Sequence, residues 1–165
     1  MKPQKRDFSR TSDKLQLPLT IGWKENVELV DWGIARVRAK IDTGARTSAL
    51  DVASYELREE PEVGLMARLQ LALDSRHPDQ LIQVVTPVLK MVVVANSSGI
   101  CEQRPLVETT LRLGPIVKRV QLTVTNRATM RFRMILGRKA LEGDFIIDVA
   151  RKFLLRRSKK MKRDR

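Results

Sequence analysis

An aspartate followed by a tight turn is the feature of this sequence best suited to do chemistry. Asp42 precedes Thr43, which has a short hydroxyl side chain, and Gly44, which can adopt positive φ without steric cost. A carboxylate held forward by such a turn can transfer protons, and two carboxylates sharing a proton can activate water. We interpret Asp42, Thr43 and Gly44 as half of such a catalytic pair. An ordinary Asx turn is the alternative interpretation.

The residues before Asp42 predict a strand that positions this carboxylate. Between residues 35 and 42 apolar and polar residues alternate, and a period of two is typical of a strand with one buried face. Asp42 is therefore expected at the end of a strand, on its polar face, together with Lys40. The side chains expected to point inward are Ala35, Val37, Ala39 and Ile41.

Other alternating runs predict a mainly β chain with one short helix near its C-terminus. Residues 24–26 are expected to form a hairpin turn, and the polar segment 51–62 a loop or short helix. Residues 138–142 predict one or two helical turns that end at Gly143. The remaining strands are expected at 19–23, 27–30, 67–73, 81–88, 91–95, 107–113, 120–125, 144–148 and 153–155.

The charge of the chain is concentrated at its ends. Of a net charge of +13, residues 151–165 contribute nine Lys or Arg against one Asp, and residues 1–10 contribute four against one. We therefore expect a flexible basic leader at 1–18, one folded domain at 19–155 and a basic disordered tail at 156–165. These tails either keep the protein in solution or make weak contacts with ribosome, RNA or an acidic protein.

The composition excludes several other classes of protein. Cys101 and His77 are the single cysteine and the single histidine, too few for an internal disulfide or the common zinc ligand sets. A lone cysteine suits a reducing compartment. The sequence also lacks a long apolar run, a hydrophobic leader and a Gly-rich phosphate-binding loop. We expect a soluble cytoplasmic protein that uses no metal or other cofactor and contacts no membrane.

A second segment, residues 135–138, favours the catalytic interpretation of the Asp42 turn. Two apolar residues and a glycine close a predicted strand there, and an arginine opens the short helix. An Asp-Thr-Gly-Ala turn followed several strands later by such a segment resembles the two signatures of retropepsin-like aspartic proteases. The resemblance implies a single-lobe acid-protease barrel. The residues that would support the aspartate turn are Ala45, Ile135, Leu136, Gly137 and Arg138.

A narrower resemblance rests on these motifs together with 22–23, 97–99, 109–114 and 122–127. The chain is similar to the family often labelled ATP-dependent zinc protease, which is associated with RimK-type ATP-grasp ligases that add glutamates to a ribosomal protein's C-terminus. Since the chain lacks zinc ligands and a phosphate-binding loop, we expect that ATP is used by the partner ligase. The word zinc in the family label is then a misnomer. The implied function is an aspartic peptidase that trims these glutamate tails.

The resemblance also implies partners. One chain carries one Asp-Thr-Gly turn, so the second carboxylate must come from a second copy, and a two-fold homodimer is expected. The other expected partners are an acidic, glutamate-rich peptide or the C-terminus of a ribosomal protein, and a RimK-type ligase. Nucleic acid is expected only as a weak contact of the tails.

Basic residues beside the turn fit an acidic substrate. Arg46 stands where retropepsins usually continue with an acidic residue, and Lys40 shares the face of Asp42. Alternatively, Lys40 balances the aspartate charge and Arg46 forms a structural ion pair. Residues 97–99, at a predicted hairpin tip, either move over the site or belong to a plain surface hairpin. The residues expected to bind substrate are Lys40, Arg46, Ser97, Ser98 and Gly99.

Arg138 is expected to pair with an acid, but the acidic residue usual after the turn is missing, which leaves its role open.

Two other functions also fit the sequence. One is an aspartic peptidase of the same fold that acts on a different cytoplasmic peptide. The other is a non-enzymatic β-domain that binds ribosomal RNA or an acidic protein through its basic tails.

Overall fold

The computed structural model describes residues 17–74, 76–96, 98–126 and 131–155. These residues form eleven strands, a 3-10 turn at Val30–Trp32 and one short α-helix, α1 (Arg138–Leu141). The strands are β1 (Leu19–Gly22), β2 (Lys24–Leu29), β3 (Ile34–Ile41), β4 (Ser48–Asp51), β5 (Ser54–Glu60), β6 (Gly64–Leu71), β7 (Ile82–Ala95), β8 (Cys101–Leu113), β9 (Ile116–Thr125), β10 (Met134–Leu136) and β11 (Phe145–Asp148). The prediction of a mainly β chain with a short helix near its C-terminus is confirmed.

Within the described residues, six of the strands close into a barrel. Neighbouring strands follow the order β2-β3-β10-β4-β9-β8, and β8 returns to β2 where Leu29 lies opposite Leu111. Closure pairs the strand edges that would otherwise be open to other chains. The largest fully buried apolar side chains are Ile21, Leu29, Leu50, Leu69, Leu71, Leu111, Leu113, Leu122, Met134 and Leu136.

Strands β7, β6 and β5 extend the sheet away from the barrel. The first half of the 14-residue β7 pairs with β6, and its second half pairs with β8. β5 pairs with β6 and forms the outer edge. The hairpin of β7 and β8 has a mostly exposed outer part, with apolar side chains at Leu89, Met91, Val93 and Ile100.

The segment after β11 folds back across the junction of β1 and β2. The buried carboxylate of Glu25 accepts the backbone N–H groups of Gly22 at 2.8 Å and Leu154 at 2.7 Å. The backbone crosses so closely that a Cβ on Gly22 would lie 2.5 Å from the Arg151 carbonyl oxygen. The C-terminal segment therefore packs closely across the β1–β2 junction and supplies backbone donors to a buried carboxyl group.

Most predicted strands are confirmed, and four local predictions are wrong. Residues 153–155 form no strand, because their backbone N–H groups donate to the Lys24 carbonyl and the Glu25 carboxylate. Residues 24–26 belong to β2 rather than to a hairpin turn, because β1 pairs with β11 instead of β2. Residues 51–62 contain the end of β4 and the exposed edge strand β5, whose polar side chains face solvent. Ala35 is exposed because a β-bulge leaves two residues of β3 opposite one residue of β2.

Only a small part of the predicted basic leader lies within the described residues. The basic tail predicted at 156–165 and residues 1–16 of the predicted leader lie outside the described residues. Where the structure describes the chain, it contains no helix with the length and apolar character needed to cross a membrane.

Candidate active site

The Asp42 turn lies where β10 is inserted between β3 and β4. β10 runs parallel to β3, with Leu136 opposite Ile41, and antiparallel to β4, with Ile135 opposite Ala49. The chain leaves β3 at Asp42 and returns as β4, so the connecting turn passes over the end of β10. The Asp42 turn and residues 135–138, about 95 residues apart in the sequence, therefore meet in space.

Backbone hydrogen bonds fix the position of Asp42. Its N–H donates to the Leu136 carbonyl at 2.9 Å, and the N–H of Ile41 donates to the Trp23 carbonyl at 2.8 Å. The Asp42 carbonyl accepts the N–H of Ala45 at 3.2 Å, which closes the turn. Asp42 is therefore held directly by β10, and its neighbour Ile41 is held by the bend between β1 and β2.

One carboxylate oxygen of Asp42 is oriented and the other is available. Oδ1 accepts the Gly44 N–H at 3.0 Å, which is the Asx-type bond of the alternative interpretation. In the described part of the chain, Oδ2 has no hydrogen-bond partner. The side chain is half-buried, while Thr43 and Gly44 are exposed. The local turn and a role in chemistry are compatible, because the Asx bond orients the carboxylate and leaves one oxygen free.

Gly137 lies directly under the turn. A Cβ at this position would lie 2.8 Å from the Thr47 carbonyl carbon and 2.9 Å from the carbonyl oxygens of Ala45 and Thr47. Its buried N–H donates to Ser48 Oγ at 3.0 Å. The turn can approach β10 this closely only because residue 137 has no side chain.

The first turn of α1 continues this support. The N–H of Arg138 donates to the Ala45 carbonyl at 2.8 Å, and the N–H of Lys139 donates to the Arg46 carbonyl at 3.1 Å. These donors have no partner within the helix, so the Asp42 turn satisfies them. The Arg138 guanidinium donates to the Thr43 carbonyl at 2.9 Å. The expected pairing of Arg138 with an acid is wrong, because this guanidinium binds the turn's backbone instead.

Ser48 is a supporting residue that the sequence interpretation missed. Its hydroxyl accepts the Gly137 N–H, and its carbonyl accepts the Thr123 hydroxyl at 3.3 Å. The side chain is buried at the start of β4. A hydroxyl residue shortly after the Asp-Thr-Gly turn is the only sequence signal for it, and the pattern does not tell which backbone group it meets.

The residues expected to bind substrate fall into two places. Lys40 and Arg46 are exposed beside the turn, and within the described residues neither side chain forms an ion pair. Ser98 and Gly99 lie at the tip of the β7–β8 hairpin, where the Asn96 carboxamide accepts the Ser98 N–H at 2.9 Å. Ser97 lies outside the described residues.

The described residues do not fit a zinc site. They contain no group of three or more His, Cys, Asp or Glu side chains placed to hold a metal ion. Cys101 is exposed at the start of β8, and His77 is exposed in the loop before β7, where Nδ1 lies 3.0 Å from an Asp74 carboxylate oxygen.

A closed β-barrel with an Asp-Thr-Gly turn packed on an inserted strand defines the class of retropepsin-like proteins. Residues 20–158 match the RimB-like family model, described as the retropepsin-like aspartic endopeptidase RimB. The match covers most of the chain, and the chain belongs to this family.

Relatives of known name are longer proteins. The chain is 34% identical over 133 residues to a probable alpha-L-glutamate ligase of Desulfotalea psychrophila, and the match covers 79% of this chain and 28% of the ligase. For a protein of the same name from Parasynechococcus marenigrum, the identity is 31% over 138 residues, with the same two coverages. The chain thus spans less than a third of the length of these relatives.

A solved structure has the same fold. The crystal structure of a protein of unknown function from Legionella pneumophila aligns with a TM-score of 0.68 and 22% sequence identity, and the alignment covers 84% of this chain and 98% of that one. This similarity extends over nearly the whole of the Legionella protein, so the two chains share a fold.

Proposed function

We propose that this protein is a homodimeric aspartic peptidase in which Asp42 and its copy from a second chain share one proton. The observation that carries the proposal is the Asp42 carboxylate, with one oxygen oriented by Gly44 and the other available. In the described part of the chain no second carboxylate contacts Asp42. A pair therefore requires a second copy, and a two-fold axis beside the exposed residues Thr43 and Gly44 would supply it.

The two carboxyl groups of such a pair have different roles in hydrolysis. The ionised carboxylate removes a proton from water, whose oxygen attacks the peptide carbonyl carbon, while the protonated one donates a hydrogen bond to the carbonyl oxygen. The tetrahedral intermediate then collapses: the C–N bond breaks, and a proton passes from a carboxyl group to the leaving amine. Two carboxylates in contact cannot both ionise, which maintains the unequal protonation that the mechanism needs.

The neighbours of Asp42 have distinct roles in this proposal. Thr43 is exposed and would contact the partner's turn, and Gly44 has no side chain to keep the two turns apart. Leu136 and Gly137 position the turn from below through the hydrogen bonds and the close approach described above. Arg138 holds the Thr43 carbonyl. Together they would keep the carboxylate within the small displacement that catalysis tolerates.

We propose a glutamate-rich peptide as the substrate, namely the tail that a RimK-type ligase adds to a ribosomal protein. The exposed side chains of Lys40 and Arg46, without ion pairs in the described part of the chain, support an acidic substrate. The relatives named as glutamate ligases support the link to that modification, since each contains a segment similar to this chain. Ser98 and Gly99, at the tip of the β7–β8 hairpin, would cover the bound peptide.

The replacement of Asp42 by asparagine tests the chemistry. Asparagine keeps the oxygen that accepts the Gly44 N–H but cannot take a proton, so turnover of a glutamate-tailed peptide should fall on the order of 10³-fold or more. Asp79→Asn is the matched control, because Asp79 is exposed in the loop before β7. Turnover that survives Asp42→Asn in a clean preparation would end the peptidase assignment and favour a binding domain.

The shared site can be tested by mixing chains. If each site needs one Asp42 from each copy, excess Asp42→Asn chain should suppress wild-type turnover as mixed dimers form. Additive rates after full exchange of subunits would contradict a shared site.

Treatment with EDTA should leave the rate unchanged, whereas loss of activity that zinc restores would contradict the metal-free mechanism.

A further inference from the structure

An open cleft of about 750 Å³ lies on the outer face of the barrel, and its described lining includes no residue of the Asp42 turn. Among the described residues, its lining includes five arginines, contributed by β3, by the loop after β6 and by the segment before β10. Among the described lining residues, Asp74 is the one carboxylate. We call this site the arginine cleft, and its arginines are Arg36, Arg38, Arg76, Arg131 and Arg133.

Two of these arginines are already paired with carboxylates. Arg76 binds Asp74 through Nε at 3.2 Å, and Arg133 binds the buried Asp51 at 2.6 Å. The other three, Arg36, Arg38 and Arg131, are exposed and form no hydrogen bond or ion pair within the described residues. Three guanidinium groups in one concavity therefore offer their donors to a ligand.

A lysine at the cleft's edge adds to the positive charge. The Lys24 ammonium lies 4.9 Å from the Trp23 ring centroid and 5.7 Å from that of Phe132, which lines the cleft. Partial burial, followed by the positive charges of Lys152, Arg38 and Arg131, lowers the pKa of Lys24. Within the described residues, Lys24, Arg38 and Arg131 form no ion pair, so their like charges repel one another and an anionic ligand would stabilise the arrangement.

The cleft connects to the Asp42 turn along the outer face of β3. Beyond the bulge at Ala35, the outward side chains are Arg36, Arg38 and Lys40, and Asp42 follows directly after the strand. With a rise of about 3.3 Å per residue, Arg38 lies ~13 Å and Arg36 ~20 Å along the strand from Asp42. An extended peptide covers the same distance in about four to six residues.

We propose that the arginine cleft binds a run of carboxylates in an acidic polypeptide, about four to six residues from the bond held at Asp42. Carboxylates match the forked donors of guanidinium groups. A single-stranded nucleic acid would also need open aromatic faces for its bases, and here the Lys24 ammonium already lies over the Trp23 and Phe132 rings. The position of the cleaved bond rests on the proposed function, but binding in the cleft does not.

Binding is measured on the full chain carrying Asp42→Asn, so that cleavage cannot consume the probe. The probe is a fluorescein-labelled hexaglutamate peptide, followed by fluorescence anisotropy. Arg36→Gln with Arg131→Gln should weaken binding roughly 3- to 10-fold, as expected for two exposed charge pairs. The matched control is Arg58→Gln with Arg68→Gln, on exposed positions of β5 and β6, which should change the Kd less than about twofold.

Three outcomes decide the proposal. An equal Kd for the cleft variant and the control, both with wild-type melting temperatures, overturns it. A uridine 12-mer that binds more tightly than hexaglutamate, and loses affinity in the cleft variant, overturns it in favour of nucleic acid. Weaker peptide binding in the cleft variant alone, with a Kd that rises with salt, supports it.

Kinetics on chains with an intact Asp42 separate this proposal from the peptidase assignment. For a peptide whose glutamates lie four to six residues from the cleaved bond, the cleft variant should raise KM several-fold with kcat unchanged. Cleavage with an unchanged KM would overturn the cleft and leave the peptidase intact. If binding depends on the cleft arginines but the chain shows no turnover, the cleft proposal is supported and the peptidase assignment is contradicted.

Discussion

Replacement of Gly137 by alanine should destabilise the protein and displace the Asp42 turn. Gly137 has φ of −85°, which alanine adopts freely, so the expected cost is steric. The new Cβ would lie 2.8 to 2.9 Å from backbone atoms of Ala45 and Thr47. These atoms belong to the main chain, so no side-chain rotation can relieve the contacts.

The expected loss of stability follows from the atoms that must move. Overpacking a tight site costs about 1–3 kcal/mol. A shift of the turn would also stretch the hydrogen bonds from Arg138 N–H to the Ala45 carbonyl and from Gly137 N–H to Ser48 Oγ, each contributing about 1 kcal/mol. The sum is roughly 3–5 kcal/mol, and at about 2–4 °C per kcal/mol for a chain of this size the melting temperature should fall by roughly 6–20 °C.

Calorimetry and turnover are measured together, with Gly143→Ala as the control. Gly143 lies just after α1 with φ of +82° and open space around its missing Cβ, so alanine there costs only about 1–2 kcal/mol of backbone strain. Turnover should fall about 10²-fold in Gly137→Ala, since ~1 Å of misplacement has that effect, and stay unchanged in the control. If Gly137→Ala lowers the melting temperature no more than Gly143→Ala does, the close approach of the Asp42 turn to Gly137 is refuted.

Three further predictions concern side chains that tie segments together. Arg138→Met should lower kcat several-fold and stability by about 1 kcal/mol, measured by kinetics and urea unfolding, because the Thr43 carbonyl loses its charged donor. Glu25→Ala should cost about 3–5 kcal/mol in the same unfolding assay, whereas Glu25→Gln retains an oxygen for the backbone donors and should cost much less. Hydrogen bonding to Thr110 lowers the pKa of Asp31, so its stabilisation is present above the unfolded-state pKa and lost as pH falls through the folded-state pKa. Asp31→Asn should therefore melt below wild type at pH 7, and the difference should shrink as pH falls below about 4.

The sequence predicted those features that depend on neighbours along the chain. Alternation of apolar and polar residues identified β3, β6, β8 and β9, because a period of two follows from the geometry of one strand. The runs at 81–88 and 91–95 predicted β7 as two separate strands. The exception within β3 was Ala35, where pairing with β2 introduces a bulge that leaves no local sign. The turn at Asp42 was also predictable, since its Asx bond to Gly44 joins residues two apart.

Relations between distant segments needed the tertiary structure. A pattern shows which face a residue is on but not which strand lies beside it, so the pairing of β1 with β11 contradicted the predicted hairpin. The partner of Arg138 was misjudged for the same reason, because sequence suggested a carboxylate and packing placed the Thr43 carbonyl there. Local polarity also misled at 51–62, since β5 is an exposed edge strand on which Tyr55 and Leu57 share one face and charged side chains predominate elsewhere.

By itself, the sequence determined that a mainly β chain carries an Asp-Thr-Gly turn after a strand, and its motifs indicated the family. Only the tertiary structure decided that β10 enters between β3 and β4, that Gly137 fits beneath the turn, and that the arginine cleft gathers side chains from three segments. The physical reason is that turns and alternation arise from the geometry of consecutive residues. Insertion, close approach and charge clustering arise from packing between residues far apart in the chain.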